Sequence, residues 1–314
     1  MASSLQYTVL PDRAKKAIEG FLPNEEAIAK RTEDFGDVKP RQEDQDGDTE
    51  TLDDALFTHH FTKTPGDYEE VQWHYVTCGQ ENGTPIVFLH GIPASKHWHH
   101  QMAVLSATHF CVAIDLKGYG QSEKSLVLLP PKQCYLVTHD RGTLQADFIC
   151  ASHPDAVLGY ARGEQHLYHF DPVLAPQHEI FTMAPYTGVM EDRKKFVIFV
   201  YTWITQKPVP RTEMERVVQE FCYPGINSRR GWKDANGATS KQGLLKAWEC
   251  PVVIMQGYDS KTQPREFYQE AREYIPNAAA VEIRYLSGGY FWTLESPEET
   301  TVAVKRLIEL AEGK

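Results

Sequence analysis

The chain has 314 residues, 41% of them hydrophobic, so it is long enough for one large α/β domain with an insertion and a sizeable buried core. Its formal net charge is −11, whereas a nucleic-acid-binding protein needs a basic surface that displaces counterions. The charge therefore excludes nucleic acid as the expected partner. The six cysteines are scattered without short pairs, which predicts reduced core residues rather than a zinc cluster or a disulfide framework.

Residues 1–56 have the pattern of an N-terminal extension made of helices and an acidic loop. Apolar positions at helical spacing in residues 11–31 predict two short helices. The acidic residues between Glu33 and Asp54 lack the spacing of a calcium-binding loop, so they predict a solvated, mobile loop. No basic region followed by an apolar run opens the chain, and the apolar stretch from Phe196 to Ile204 is too short to span a bilayer. We expect a soluble, cytoplasmic protein without membrane contact.

Strand patterns begin at residue 57. Segments 58–63 and 71–78 alternate like the strands of a hairpin. Short apolar runs bounded by turn residues follow, typical of parallel strands covered on both faces, at residues 85–90, 111–115, 134–138 and 251–256. The sequence thus predicts the α/β class, with a mostly parallel central sheet flanked by helices. A capping box at Thr212–Glu215 predicts a helix over 212–222, and an amphipathic pattern predicts another over 297–311.

Two segments between these strands differ from a plain α/β pattern. Residues 117–133 are poor in helix-forming sequence, so they predict a shortened crossover whose helix is thin or missing. Sheet surface would then be uncovered there unless the N-terminal helices or another chain lies over it. Residues 163–248 are aromatic and helical in pattern and predict an inserted lid. The expected domains are an extension at 1–56, a core at 57–162 and 249–314, and a lid at 163–248.

Asp140 occupies the most informative position in the sequence. It follows the strand pattern 134–138 and precedes a helical segment, in the run His139-Asp140-Arg141-Gly142. A sharp strand-to-helix turn tolerates small flanking residues and exposes the residue at its apex, and the helix N-terminus favours an anion there. Aspartate is also a common helix cap. The turn alone therefore allows either a nucleophile or a cap.

Four short patterns occur in the order of one fold. They are His90-Gly91-Ile92-Pro93, Asp115-x-x-Gly118-x-Gly120-x-Ser122, His139-Asp140-Arg141-Gly142 and Gly288-Gly289-Tyr290-Phe291-Trp292. Together they resemble the α/β-hydrolase family over roughly residues 57–312. An aspartate in the turn beside a His-Gly-x-Pro loop is similar to the branch of epoxide hydrolases and haloalkane dehalogenases.

The resemblance implies covalent catalysis by Asp140. In that branch the aspartate attacks carbon to form an alkyl-enzyme ester, and a histidine held by an acid then activates water to hydrolyse the ester. The backbone amides of Arg141 and Ile92 would form the oxyanion hole, with His90, Gly91 and Pro93 in the same loop. The expected partner is a small-molecule substrate, and neither a cofactor nor a metal is implied.

Two positions depart from the family pattern. Tyr290 stands where the family has its histidine, and a phenol that titrates near pH 10 cannot replace an imidazole as a base at neutral pH. Ser260 stands at the usual acid position, with Asp259 one residue early. The predicted catalytic residues are therefore Asp140, Asp259 and Tyr290, with an impaired hydrolytic step. Other imidazoles that could approach the pocket are His97, His99, His100, His166 and His169.

The aromatic lid favours an apolar or aromatic substrate. Epoxide hydrolases use lid tyrosines to protonate the opening ring, and the resemblance offers Tyr168, Tyr186, Tyr201 and Tyr223, of which Tyr168 and Tyr201 are the predicted substrate contacts. Two alternatives remain open. One is a catalytically degenerate small-molecule-binding protein, and the other is a lyase or isomerase that uses Asp140 or a lid tyrosine for proton transfer.

Overall fold

Nine strands form one sheet in the structure, a computed structural model that describes residues 23–65, 70–92, 94–116, 119–122, 133–165, 167, 192–221, 244–263, 265 and 268–314. The strands are β1 (Thr49–Leu52), β2 (Ala55–Pro65), β3 (Glu70–Gly79), β4 (Pro85–Leu89), β5 (Phe110–Ile114), β6 (Cys134–Thr138), β7 (Val157–Gly163), β8 (Val252–Gly257) and β9 (Val281–Leu286). Their order is β1-β2-β3-β5-β4-β6-β7-β8-β9. Strands β4 to β9 are parallel, and β1 to β3 add an antiparallel edge.

The acidic segment contributes a strand and inward-facing side chains. β1 pairs with β2 through a two-residue turn at Asp53 and Asp54, whose φ angles are 50° and 62°. Two consecutive left-handed residues match the twist of a tight hairpin, and aspartate tolerates that conformation. Asp44 is buried as well. The prediction of a solvated, mobile loop is wrong for β1 and for Asp44, whereas Asp53 and Asp54 are exposed, and the sheet begins before the expected core boundary at residue 57.

The predicted strands are confirmed within one residue at β4, β5, β6 and β8, and the predicted hairpin is β2 with β3. The strand pattern missed β7, because its sequence includes Arg162. The guanidinium of Arg162 is fully buried and bonds both carboxylate oxygens of Asp147, at 3.2 Å from Nε and 3.0 Å from Nη2. Such pairing makes a buried charge tolerable but hides the apolar pattern of the strand.

Side chains cover the sheet on both faces. Consecutive residues of a strand point in opposite directions, so Leu136 and Tyr160 pack in one hydrophobic cluster while Val137 and Ala161 pack in the other. This two-sided burial explains why the central strands are continuous apolar runs in the sequence.

The helices are α1 (Glu25–Asp34), α2 (His99–Leu105), α3 (Arg141–Ser152), α4 (Arg193–Ile204), α5 (Arg211–Phe221), α6 (Ala271–Tyr274), α7 (Trp292–Glu295) and α8 (Pro297–Ala311). The predictions matching α1, α5 and α8 are confirmed. The first N-terminal helix and most of the 117–133 connection lie outside the described residues. Helix α4 packs against both α1 and α5, so the N-terminal extension contacts the segment predicted as a lid. Within the described ranges, no helix combines the length and apolarity needed to cross a membrane.

Candidate active site

Asp140 forms the apex of the turn between β6 and α3. Its backbone is left-handed, with φ 50° and ψ −115°, a conformation that costs a non-glycine residue about 1–3 kcal/mol and persists only where the surroundings enforce it. Here the N–H of Asp140 donates to the carbonyl of Gly163 at 3.0 Å, and the N–H of Gly142 donates to the carbonyl of His90 at 3.0 Å. The Asp140 side chain makes no capping bond to α3. The geometry therefore disfavours the interpretation of Asp140 as a helix cap.

Two glycines allow the neighbouring chain segments to approach this turn. A Cβ on Gly91 would lie 2.5 Å from Cβ of Asp140, and a Cβ on Gly142 would lie 2.3 Å from the carbonyl oxygen of Leu89. Real Cβ atoms do not come so close, so both positions need glycine. The structure thus brings the predicted oxyanion loop directly against the side chain of Asp140.

The buried side chain of His90 stabilises the predicted oxyanion loop through two hydrogen bonds. Its Nε2 accepts the N–H of Leu116 at 2.8 Å, and its Nδ1 donates to the carbonyl of Gly91. Burial lowers the pKa of His90, although the charge of Asp115 opposes the effect, so the ring is neutral. Ile92 is half-buried in the same loop. Pro93 lies outside the described residues.

Tyr290 lies beside Asp140. The tyrosine side chain is 6% exposed and lies close enough to Asp140 to feel the charge of its carboxylate. Burial, followed by the negative charge of Asp140, raises the pKa of Tyr290 well above its usual 10. Gln165 Nε2 donates to Oδ1 of Asp140, at 3.1 Å. Neither the phenol of Tyr290 nor the amide of Gln165 can serve as a base at neutral pH.

His139, immediately before Asp140, is a buried imidazole that supports the position of Tyr290. Its Nε2 donates to the carbonyl of Tyr290 at 2.8 Å, and the two rings meet edge to face with centroids 5.0 Å apart. Burial lowers the pKa of His139 to about 4, with the charge of Asp140 opposing. In the part of the chain that the structure describes, its Nδ1 has no hydrogen-bond partner. This histidine is neutral at pH 7.

Three of the imidazoles considered as substitute bases lie in the described ranges, and each has a partner other than Asp140. His97 is buried between the hydroxyl of Tyr201, 3.4 Å from Nδ1, and the hydroxyl of Thr293. His99 contacts Arg216, and His100 contacts Asp53. His166 and His169 lie outside the described residues. The structure brings His97 nearest the turn, with its ring centroid 5.2 Å from that of His139, but burial lowers its pKa well below 6.5.

Glu164 is a buried carboxylate that contacts the turn after β8, where Asp259 was expected to supply the acid. The turn after β8 exposes Asp259, whereas Ser260 is buried and its hydroxyl donates to Oε2 of Glu164 at 2.9 Å. The other oxygen of Glu164 accepts the N–H of Gly257 at 2.8 Å and the indole N–H of Trp292 at 3.1 Å. Burial raises the pKa of Glu164 above its usual value, and these donors counteract part of the rise. The structure does not bring Asp259 into this group of residues.

Tyr201 packs inside the core. Its ring is fully buried and stacks on Phe291 with centroids 3.8 Å apart and an interplanar angle of 7°. The hydroxyl lies 3.4 Å from the carbonyl oxygen of Ile92, on the oxyanion loop. A substrate contact by Tyr201 remains a prediction, and Tyr168 lies outside the described residues.

The sequence patterns missed Glu164, Gln165 and His139. The first two directly follow β7, which the strand pattern did not reveal, so their position at the carboxyl end of a parallel strand was hidden. Functional side chains collect at that edge in open α/β sheets. A strand pattern followed by two polar residues is the signal that could have found them.

Comparison with known proteins agrees with this geometry. A family model described as the α/β hydrolase fold matches residues 84–162. Epoxide hydrolase 4 of Mus musculus is 26% identical over 125 residues, covering 34% of this chain and 34% of the relative. A haloalkane dehalogenase of Bradyrhizobium diazoefficiens is 32% identical over 104 residues, covering 28% of this chain and 34% of the relative. The matched segments thus span about a third of the length of these relatives.

Among solved structures, a variant of an epoxide hydrolase from Bacillus megaterium superposes with a TM-score of 0.61 at 21% identity, covering 79% of this chain and 100% of the other. The chain is therefore a protein of the α/β-hydrolase fold. Its sequence relatives include epoxide hydrolases and haloalkane dehalogenases, as the short patterns around Asp140 predict.

Proposed function

We propose that this protein is a hydrolase-like enzyme in which Asp140 attacks an epoxide or alkyl carbon of an apolar or aromatic small molecule. The observation that carries the proposal is the left-handed backbone of Asp140 at the strand-to-helix turn, with its side chain against the glycine of the oxyanion loop. Strain of this kind is maintained where it exposes a reacting group. The relatives named as epoxide hydrolase and haloalkane dehalogenase support the same chemistry.

In the proposed first step, an oxygen of Asp140 forms a bond to the substrate carbon. For an epoxide, the bond between that carbon and the ring oxygen breaks, and the oxygen leaves with the electron pair as an alkoxide. The Tyr290 hydroxyl, close to Asp140, can supply the proton, because an alkoxide is a stronger base than a phenolate. For an alkyl halide, the halide leaves with the electron pair. Both routes leave an ester on Asp140.

Hydrolysis of this ester is the proposed slow step. A positioned general base contributes about 10²–10⁴-fold to such a reaction. After it has protonated an alkoxide, Tyr290 regains a proton from solvent, because burial and the nearby carboxylate raise its pKa, and it is then not available as a base. We therefore expect hydrolysis of the ester to be much slower than its formation, so that the ester accumulates.

Mass spectrometry of the intact protein after exposure to small epoxides, styrene oxide among them, tests the nucleophile. We expect one added mass equal to that of the epoxide, on the peptide that contains Asp140. Asp140→Asn is the matched control, since asparagine tolerates a left-handed backbone but is not a nucleophile. Equal labelling of the Asp140→Asn protein, or no adduct with any epoxide or alkyl halide, would contradict the proposal.

A pair of substitutions at Tyr290 tests the slow step. Tyr290→His supplies an imidazole and should speed loss of the adduct, with release of diol, by about 10²-fold or more. Tyr290→Phe removes the hydroxyl without adding a base and should leave the adduct stable. If Tyr290→His folds normally and releases product no faster than the parent, the missing base is not the cause of slow hydrolysis.

The proximity of Tyr290 to Asp140 also favours a second candidate, a lyase or isomerase that transfers protons between these two groups and its substrate. Turnover in H₂¹⁸O separates the candidates, because ester hydrolysis places the heavy oxygen in the Asp140 carboxylate and proton transfer does not. Ligand binding that is unchanged in Asp140→Ala, with neither adduct nor product, would instead indicate a binding protein.

A further inference from the structure

Two buried histidines meet on the antiparallel edge of the sheet. His59 on β2 and His74 on β3 are 0% and 1% exposed, and Nδ1 of His59 lies 2.9 Å from Nε2 of His74. Oδ2 of Asp44, from the segment before β1, lies 3.4 Å from the same Nδ1. The three donor atoms fall within 4.8 Å of one another. The residues are far apart in sequence, so no short motif reveals the cluster.

Carboxylates on the outer side of the two rings determine where their protons lie. Nδ1 of His74 is 2.6 Å from Oδ2 of Asp115, and Nε2 of His59 is 3.1 Å from Oε1 of Glu50. A carboxylate only accepts, so each neutral imidazole donates its outer N–H and carries its lone pair on the inner nitrogen. Two lone pairs facing each other repel, and a cation between them relieves the repulsion. Histidines that bind metals donate their other N–H to carboxylates in this way.

We propose that Asp44, His59 and His74 bind a divalent transition-metal ion, with Zn²⁺ the best match. Zinc holds nitrogen and carboxylate oxygen at about 2.0–2.2 Å, so tetrahedral angles separate its donor atoms by about 3.3 Å. The separations here are 2.9 Å and 3.4 Å, a few tenths of an ångström from that value. Imidazole donors suit zinc and its neighbours, whereas magnesium and calcium prefer all-oxygen sites. A solvent molecule would supply the fourth ligand.

The surrounding charge favours a cation between the two rings. The groups around the pair of rings are four carboxyls and two cations: Asp44, Glu50, Asp115, Glu220, Arg41 and Lys96. Burial raises the pKa of Glu220 to about 7, so with the other groups ionised between one and two negative charges remain in excess, which a cation bound between the rings balances. Arg41 bonds Oδ1 of Asp44 at 2.8 Å, and Oδ2, which also accepts a hydrogen bond from Nε2 of Gln121 at 2.7 Å, faces His59. Lys96 pairs with Glu50 at 2.6 Å.

The proposed ion would be structural. Asp115, which holds His74, also accepts the N–H of Ser95 at 2.8 Å, so the metal would link the N-terminal hairpin to the segment after the oxyanion loop. Its ligands come from the antiparallel edge, whereas Asp140 follows the parallel strand β6. The site is therefore separate from the proposed reaction and stands or falls independently of it.

Metal analysis of the full chain tests the site. The protein is treated with a chelator, incubated with Zn²⁺ and freed of unbound metal. We then expect about one Zn²⁺ per chain by inductively coupled plasma mass spectrometry. Co²⁺ in its place should give the visible absorption of a tetrahedral site. At a free Zn²⁺ concentration 100 times Kd, the unfolding temperature should rise by about 5 °C. The Asp44→Asn and His74→Gln proteins should lose the bound metal and the temperature shift.

The chain offers a matched control in a second group, Asp53, His99 and His100. There, Nη1 of Arg216 already lies 2.9 Å from Nε2 of His99. His100→Gln should therefore bind as much Zn²⁺ as the parent. The proposal is overturned if the folded parent retains no metal, which would indicate a shared proton between His59 and His74. Loss of binding in His100→Gln would overturn it as well.

Discussion

Acidification should destabilise this protein through His139. The imidazole is fully buried, and burial lowers its pKa to about 4 against an ordinary value of 6.5. Above pH 6.5 the ring is neutral in both the folded and the unfolded chain and contributes no pH dependence. Below pH 6.5 the unfolded chain binds a proton that the folded chain does not bind until about pH 4. The free energy of unfolding therefore falls as the pH falls through this window.

The magnitude follows from the width of the window. At about 1.4 kcal/mol per pH unit for one proton, the change from 6.5 to about 4 amounts to about 3 kcal/mol. That is a large part of the free energy of unfolding of a typical protein, which is about 5–15 kcal/mol. His90 and His97, whose pKa values burial also lowers, add to the loss in the same direction.

Urea unfolding at several pH values between 4 and 7 measures this effect, and His139→Asn isolates it. The substitution should lower the free energy of unfolding at pH 7, because packing and the bond to Tyr290 are weakened. It should also reduce the slope of the free energy of unfolding against pH by the amount that corresponds to about one proton. If His139→Asn and the parent lose stability with the same slope, His139 is not a buried neutral base in the folded chain, and the reasoning fails.

Three further substitutions test the elements around Asp140. Gly91→Ala should slow labelling of Asp140 by at least about tenfold, because the added Cβ would lie 2.5 Å from Cβ of Asp140. The circular dichroism of this variant should be normal, and unchanged labelling would refute the close approach. Asp147→Ala should lower the free energy of unfolding by about 3–5 kcal/mol in a urea titration, since it removes the carboxylate from the buried guanidinium of Arg162, and a loss below about 1 kcal/mol would show that the pair is not needed. Tyr201→Phe should change the labelling rate less than about twofold, because the ring is fully buried in the core, and a larger loss in the labelling assay would support a direct contact with substrate.

The sequence predicts the parallel strands and the Asp140 turn because their signals are local. Each buried strand is a continuous apolar run, and the turn carries its own small flanking residues. The surroundings of Glu164 could not be predicted in the same way. A strand pattern could have placed Glu164 at the end of β7, but its contacts with Gly257 and Trp292 join residues that are about a hundred positions apart in sequence. Likewise, the acidic run predicts that Asp44 is exposed to solvent, whereas the folded chain buries it.

The hydrogen bond from His139 to the backbone of Tyr290 has a consequence for how this protein could evolve. His139 bonds the carbonyl of residue 290 rather than its side chain, so the local path of the chain does not depend on which ring is attached there. The codons for tyrosine and histidine differ by one base. A single point mutation could therefore place an imidazole next to Asp140 without rebuilding the turn, and random mutagenesis under selection for diol release should recover that codon early.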